Sequence, residues 1–450
     1  MLLYADQFGA NISHVYQTDT FNEMLPRTNS TAYLKQASKV VYDTMLSYDQ
    51  SAVWLMQGWL FVDNPEFWTP PLIEAYLSGV PNDGMIILDL MSDVVPVFES
   101  TKSYYGKPFI WNMLHSFGGK RDLFGNFSAI ANAPAAAADS GSSIVGSGIT
   151  MEAIENSIAI FEMMMENVAW RSSSPRTPIN NITAWFIDHY APLRYSPTTA
   201  LQLQSALQRL EQGVYQINWI MPSLVSLAPS TGQTYFQPEH DYAGVQMAAR
   251  AFVAAAAGDS GNGPLNYDLV DLVRQVASNA LFDLQTLLRD VYITVARTPN
   301  AYARSDVQQS LANIEQHFGT IYHGLDKLLH SDPNYLLGTW TEAARAWGSN
   351  DDERTLLQFN ALNIITLWGP NGEIRDYASK QWHQLVGDFY HERWRTMFGM
   401  IKNAMFMKRV LNGTMAYWAD IELGQRWAIA NADTRFATAP SGEAPAAAAA

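Results

Sequence analysis

A chain of 450 residues with 48% apolar content is long enough for two to three domains with sizeable cores. It carries 43 acidic against 28 basic residues, a formal charge of −15, and no run of five or more Lys/Arg, so its field repels polyanions and argues against nucleic acid as a partner. Zero cysteines exclude a disulfide framework, a thiolate zinc site and a cysteine nucleophile, and no apolar stretch approaches the ~18 residues of a membrane-spanning helix.

Met1-Leu-Leu-Tyr-Ala-Asp lacks the basic start and cleavage site of a signal peptide, so any export signal is expected outside this sequence. Asn-x-Ser/Thr triplets at Asn11, Asn29, Asn126, Asn181 and Asn412 are glycosylation acceptors in a secretory setting. Residues 14–170 then alternate short apolar runs with amphipathic stretches, the pattern of βα units around a parallel sheet. The predicted strands are 14–21 (HVYQTDTF), 52–61 (AVWLMQGWLF), 85–90 (MIILDL), 108–115 (PFIWNMLH) and 143–149 (SIVGSGI). Helices are predicted over 31–48, entered from Asn29-Ser30, over 66–79 around Pro70-Pro71, and after the last strand, where Ile154, Ile158, Phe161, Met165 and Val168 recur at helical steps. The stretch 134–143 (PAAAADSGSS) reads as a surface loop.

Near 171–182 (RSSSPRTPINNI) the composition turns Ser/Pro/Asn-rich and strand signals stop, which places a domain boundary there. Beyond it Leu269, Val273, Val276, Ala280, Leu284, Leu287 and Val291 keep one long helical stripe over 268–297. Further helices are predicted over 198–215, 305–330, 340–348, 353–368, 376–391 and 393–425, with breaks at 258–264 (GDSGNGP) and 369–372 (GPNG). The expected organisation is an α/β domain over 1–174, an all-α domain over 175–437 and a disordered tail over 438–450, which ends in five alanines.

Glu23, in Asp19-Thr20-Phe21-Asn22-Glu23, follows the first strand, where parallel barrels carry their catalytic groups; an Asn-Glu pair can also be an ordinary loop. Here Asn22 would bond a sugar while the carboxyl protonates a glycosidic oxygen. Glu152 follows the last strand and is either a carboxylate complementing a helix N-terminus or a second catalytic carboxyl facing Glu23. A separation of about 5–5.5 Å would make a retaining pair and about 6.5–9.5 Å an inverting one. Trp54, Trp59, Trp111, Trp368 and Tyr377 are core residues or sugar platforms, and His115 either contacts substrate or is satisfied by backbone groups. His391-Glu392 has no second histidine four positions after the first, and no Gly-x-Ser-x-Gly, Walker or Rossmann pattern occurs, so no metal or cofactor is implied.

DTFNEM at 19–24, AVWLMQGW at 52–59, ILDL at 87–90, PFIWNMLHSFGG at 108–119, LFGNF at 123–127, VGSGI at 145–149, NYDLVDLVRQ at 266–275, YLLGTW at 335–340, LWGPNGEIRDYASKQ at 367–381 and FYHERW at 389–394 together resemble the α-N-acetylglucosaminidase family, glycoside hydrolase family 89, over about residues 1–425. The resemblance implies the last five βα units of a (β/α)8 TIM barrel followed by a large α-helical domain. It further implies retaining removal of terminal α-linked N-acetylglucosamine from glycans such as heparan sulfate, in a lysosomal or secreted setting and without a cofactor. Glu23 would be the acid/base and Glu152 the nucleophile. Trp59, Trp368, Ile374 and Tyr377 match positions lining the sugar pocket, the last three from the helical domain, with Asn22, Asn112 and His115 as further contacts. Met151-Glu152-Ala153 departs from the family's Pro-Glu-Gly, and the barrel's first three units are absent from this sequence. Five strands leave unpaired edges and an exposed interior. A truncated, non-catalytic carbohydrate-binding relative, with the half-barrel pairing in a homo-oligomer or with another chain, is therefore the alternative. Lys120-Arg121 is either solvated surface or a basic screen for a sulfated polymer.

Overall fold

The computed structural model describes residues 6–9, 12–118, 120, 122–152, 155–171, 179, 181–218, 222–230, 241–298 and 304–449. All five predicted strands form: β1 (Val15–Gln17), β2 (Val53–Gln57), β3 (Met85–Asp89), β4 (Phe109–Met113) and β5 (Ile144–Ile149). They pair in parallel in chain order, with registers such as Leu55 against Ile86 and Leu88 against Ile110. Several are shorter than their apolar runs. β1 stops at Gln17, ahead of the left-handed residues Phe21 and Glu23 (φ 62° and 51°), and β2 stops where Trp59–Asp63 turns into a short helix.

The sheet has a sealed face and an open one. Trp54 and Met56 of β2 and Met85 and Ile87 of β3 are fully buried, and Trp54 meets Tyr76 of helix α2 (Pro70–Leu77) edge-on. Each such side chain contributes about 1.5–3 kcal/mol on burial. The alternate residues Val53, Leu55, Gln57, Ile86 and Leu88 are only half-buried. Among the described residues β1 and β5 each have a single strand neighbour, so the sheet is an incomplete barrel with its inner face half-covered.

Helix α1 (Thr31–Leu46) starts where Ser30 Oγ accepts the Tyr33 amide, as its sequence predicts. The reading of 134–143 as a loop is corrected: α3 runs from Phe127 to Asp139 with Pro134 inside. Pro134 has no N–H for the Ile130 carbonyl, but Asn167, buried on α4 (Ile158–Arg171), donates its amide there at 2.8 Å. Ile154 and residues 172–178, at the predicted domain boundary, fall outside the described residues, as do Asn11, Gly119 and Arg121.

The chain divides into two compact units, one of 1–115, 126–152 and 158–182, the other of 116–125, 153–157 and 183–450. The second is helical: α5 (Pro197–Gln212), α6 (Tyr242–Gly258), α7 (Gly263–Arg297), α8 (Ser305–Leu329), α9 (Leu337–Arg345), α10 (Asp351–Ile364), α11 (His391–Phe406), α12 (Gly413–Ala430) and α13 (Ala444–Ala449). Successive helices α5 to α8 pack on one another. Four differences from expectation stand out. α6 has no predicted counterpart because its buried side is largely alanine. Residues 376–384 are not helical, since Asp376, Ser379 and Gln384 take left-handed backbone. The stretch 393–425 is two helices, parted around Lys408. The tail is not disordered along its length: α13 packs on α6, α7 and α8, because alanine is the best helix former and its small side chain lets backbones approach. Among the described residues no helix is long and apolar enough to cross a membrane.

Candidate active site

In the barrel unit the predicted residues gather in the loops that leave the C-terminal ends of the strands. Asp19, two residues past β1, accepts the Gln57 amide of β2 at 3.0 Å, and the Thr18 carbonyl accepts Trp54 Nε1 at 2.7 Å. These bonds fix where β1 ends, and a tight turn from Phe21 to Met24 then lifts Asn22 and Glu23 into solvent. Trp59, two residues past β2, donates Nε1 to Glu23 Oε1 at 3.1 Å. Two residues singled out separately in the sequence are thus one hydrogen-bonded pair, and Glu23 holds a backbone conformation that costs a non-glycine residue of order 1–3 kcal/mol.

After the central strand β3, Asp93 accepts the amides of Leu114 and His115 at 3.1 and 3.0 Å. Burial pushes its carboxyl up to about 6 despite those bonds. His115 is buried, at a left-handed φ of 64°, with its ring edge-on to Phe161 of α4. Asn112 is buried as well, and its amide N–H groups go to the Leu90 carbonyl and to Thr150 Oγ1 at 2.6 Å. That bond ties β4 to the stretch Thr150-Met151-Glu152, where Glu152 is exposed. Asp89, inside the sheet, accepts the amides of Val97 and Phe98 and is likewise raised to about 6 by burial.

In the helical unit Trp368, Ile374 and Tyr377 are all partly exposed on one irregular loop, with the Trp368 and Tyr377 rings perpendicular and 5.7 Å apart. Trp368 is left-handed too (φ 51°), held by its amide to the Asn363 carbonyl and by reciprocal bonds between Asn363 and Gly369. Beneath the loop Arg393, 2% exposed, reaches Asp376 through Nη1 and Nη2 at 2.7 and 3.0 Å. It also reaches Asp420 through Nε and Nη2 at 2.6 and 2.8 Å. Burial raises Asp376 against the pull of Arg393; at Asp420 burial is overcome by Arg393 and Arg375, and the carboxyl falls below its ordinary value. Gly118 sits under the same loop at φ 57°, where a Cβ would lie 1.9 Å from the Tyr377 carbonyl oxygen.

Both readings of Lys120 are corrected. It is neither solvated nor a screen but buried, beside an equally buried Asp122, with Leu123 N bonded to Gln275 of α7 at 2.8 Å. Burial lowers Lys120 to about 8 against the pull of Asp122, and raises Asp122 to about 6 against Arg274 and Lys120. Asp93, Asp376, Asp420 and Arg393 were not singled out from sequence. One signal was present: Arg393 falls on the four-residue stripe of Met397, Ile401 and Met405, so a charge stood on a buried face.

The fold is a (β/α)8 barrel lacking strands, followed by a large all-α unit, with carboxylates and aromatics on the loops after the strand C-termini. Residues 3–172 match the TIM-barrel domain model of α-N-acetylglucosaminidase and residues 185–450 the model of its C-terminal domain. Human α-N-acetylglucosaminidase is 34% identical over 398 residues, 86% of this chain and 50% of the human protein. A family 89 glycoside hydrolase from Clostridium perfringens, in complex with PUGNAc, superposes with a TM-score of 0.83 at 22% identity, over 99% of this chain and 49% of that one. So, with the same scores, does the Clostridium perfringens protein carrying two Glu→Gln substitutions, in complex with its substrate GlcNAc-alpha-1,4-galactose. The chain belongs to the α-N-acetylglucosaminidase family, glycoside hydrolase family 89, and spans about half the length of these relatives.

Proposed function

We propose that this chain carries the chemistry of a retaining exo-glycosidase that removes terminal α-linked N-acetylglucosamine from glycans such as heparan sulfate, in a lysosomal or secreted setting. Protonated Glu23 donates to the leaving oxygen while Glu152 attacks the anomeric carbon; water then cleaves the glycosyl-enzyme with Glu23 as base. Asn22, Trp59, Asn112, His115, Trp368, Ile374 and Tyr377 are assigned to the sugar on the strength of the family motifs they match. The observation that carries this reading is Glu23: an exposed carboxyl on a left-handed turn past a barrel strand, hydrogen-bonded by Trp59.

β1 and β5, which precede the two glutamates, are separated by four strand steps, about 19 Å along a flat sheet at ~4.8 Å each. A retaining pair therefore needs the curvature of a closed barrel. The half-covered inner face favours the second reading, a carbohydrate-binding relative without turnover, for the 450-residue chain alone. The test assays an aryl α-N-acetylglucosaminide with this chain and with a longer polypeptide that completes the barrel. In an active form Glu23→Gln should lower kcat about 10²–10⁴-fold on a sugar leaving group and less on an acidic phenol. Glu152→Gln should abolish turnover of both, and the first product seen by NMR should be the α-anomer. Equal activity of wild type and Glu23→Gln, or a β-anomer, would sink the assignment.

A further inference from the structure

Within the helical unit, the space between α7, α11 and α12 is not filled by side chains. A cavity of about 580 Å³ lies there, with Ile293, Met397, Val410 and Leu411 in its wall. Small-molecule sites run from about 300 to 1,000 Å³, so the volume suits a compact ligand. Two helices turn a face to it: Arg289, Tyr292 and Ile293 of α7, and Gly413, Ala416, Tyr417 and Asp420 of α12. Steps of three and four put each set on one side of its helix. The small side chain of Ala416 leaves the room.

The charged groups of this cavity are short of acceptors. Asp420 is the one acid among its lining residues, and both of its oxygens are engaged: Oδ1 by Arg393 Nε, Oδ2 by Arg393 Nη2 and by Arg375 Nη1 at 2.7 Å. Arg375 also lies over the Tyr417 ring, 4.6 Å from its centre. Tyr292 Oη accepts the Leu411 amide at 2.7 Å, which leaves its hydrogen to donate. Arg289 is half-buried and, among the described residues, forms no hydrogen bond or ion pair. A guanidinium partly withdrawn from water gains most from an anion that can take its paired N–H groups. In a chain of net charge −15, two guanidiniums lining one cavity with a single, already bonded carboxylate form a local positive spot. The apolar wall beside it suits an anion that carries a body, not a bare ion.

We propose that this cavity binds a compact organic anion, one carboxylate or sulfate on a partly apolar body of monosaccharide size. Arg289 and Tyr292 hold the anionic group, while Met397, Val410 and Leu411 pack against the body. An acidic sugar and a free organic acid offer the same chemistry. The site is separate from the glutamates of the barrel unit and stands whether or not the chain turns over an N-acetylglucosaminide.

The test titrates the 450-residue chain, labelled at its methionine methyl groups, with methyl glucuronide, 4-hydroxybenzoate and inorganic sulfate. The NMR signal of Met397, assigned by Met397→Leu, reports occupancy. At least one organic acid should bind with Kd of about 1 mM or tighter, and its methyl ester should bind about 10-fold more weakly or worse. Arg289→Met breaks no bond of the folded chain and should weaken binding about 10- to 100-fold, with Arg289→Lys recovering part of the loss. Ala416→Leu, which fills the cavity, should weaken the organic acids and spare sulfate. The tighter of the two acids names the source, a glycan end or a free acid. No shift of Met397 with either acid up to about 10 mM overturns the proposal. So does sulfate binding as tightly as the organic acids, or an Arg289→Met chain that keeps its wild-type fold and affinity.

Discussion

Arg393 is where the loop carrying Trp368, Ile374 and Tyr377 is most exposed to a single change. A guanidinium has five N–H donors. Here all five are engaged, four by Asp376 and Asp420 and the fifth by the Ser226 carbonyl at 3.1 Å. Arg393→Met leaves two buried carboxylates facing Arg375 alone, and breaking a buried pair in this way costs about 3–5 kcal/mol. For a unit of this size that is a fall of about 10 °C in Tm, to be read by calorimetry. Arg393→Lys keeps the charge but has three donors in place of a fork, so it should recover only part of the loss. The cost also depends on pH. Without Arg393 the burial of Asp376 is opposed by Arg375 but no longer by Arg393, its folded pKa rises further above the unfolded value, and the penalty is largest where the unfolded carboxyl is ionised. The deficit should therefore shrink between pH 7 and pH 5, and adding Asp376→Asn to Arg393→Met should reduce it at pH 7. Because Asp376 adjoins Tyr377, KM should rise in the same variants. A deficit below about 1 kcal/mol at pH 7, or one independent of pH, would refute the account.

The wild type has an acid optimum of its own. Asp89, Asp93 and Asp122 have folded pKa values raised to about 6, chiefly by burial. For a raised acid the folded state binds the extra proton, so stability is greatest below the unfolded value and is lost as pH rises through the folded one. Acidifying from pH 7 to pH 5 should thus add about 1 kcal/mol per group. His391, lowered to about 4 first by burial and then by His323, works the other way as pH falls from 6.5 but offsets only part of the gain from three carboxyls, so thermal midpoints should rise from pH 7 to pH 5. A midpoint that drops steadily from pH 7 to pH 5 would contradict this. Gly118→Ala should destabilise by about 2 kcal/mol or more, since it adds both a left-handed alanine and a clash with the Tyr377 carbonyl. The check is Tm together with KM, and wild-type values of both would show that the glycine is dispensable.

The strands were legible because their apolar runs are sealed on one face by helices, and Asn29-Ser30 announced α1 through its own hydroxyl. What failed was non-local. Pro134 reads as a break until Asn167, thirty-three residues on, supplies the donor that the carbonyl of Ile130 lacks. Ala378, Trp382, Leu385, Val386 and Phe389 have helical spacing, but the chain before Leu385 is bent by Arg393 on Asp376 and by Asp326 accepting the Gln384 amide at 2.7 Å. The site shows the same division. Glu23, Trp59 and Tyr377 could be picked singly from strand ends and aromatic blocks. The bonds of Glu155 to Lys380 and Trp382 in the helical unit could not, since these partners lie 225 and 227 residues away in the chain.

Residues 116–125 and 153–157 leave the barrel sequence yet are compact with the helical unit, where Leu123 meets Gln275 and Glu155 meets Lys380. The helical unit is therefore not a contiguous stretch of gene. A polypeptide starting at residue 183 would lack Glu155 beside Lys380, leaving that buried cation without its carboxylate, and would lose Asp122 from beside Arg274, which keeps Asp271. Swapping helical units between relatives at that junction would meet the same mismatch, and an exchange that carries both loops along with the helices should fold where the simple cut does not.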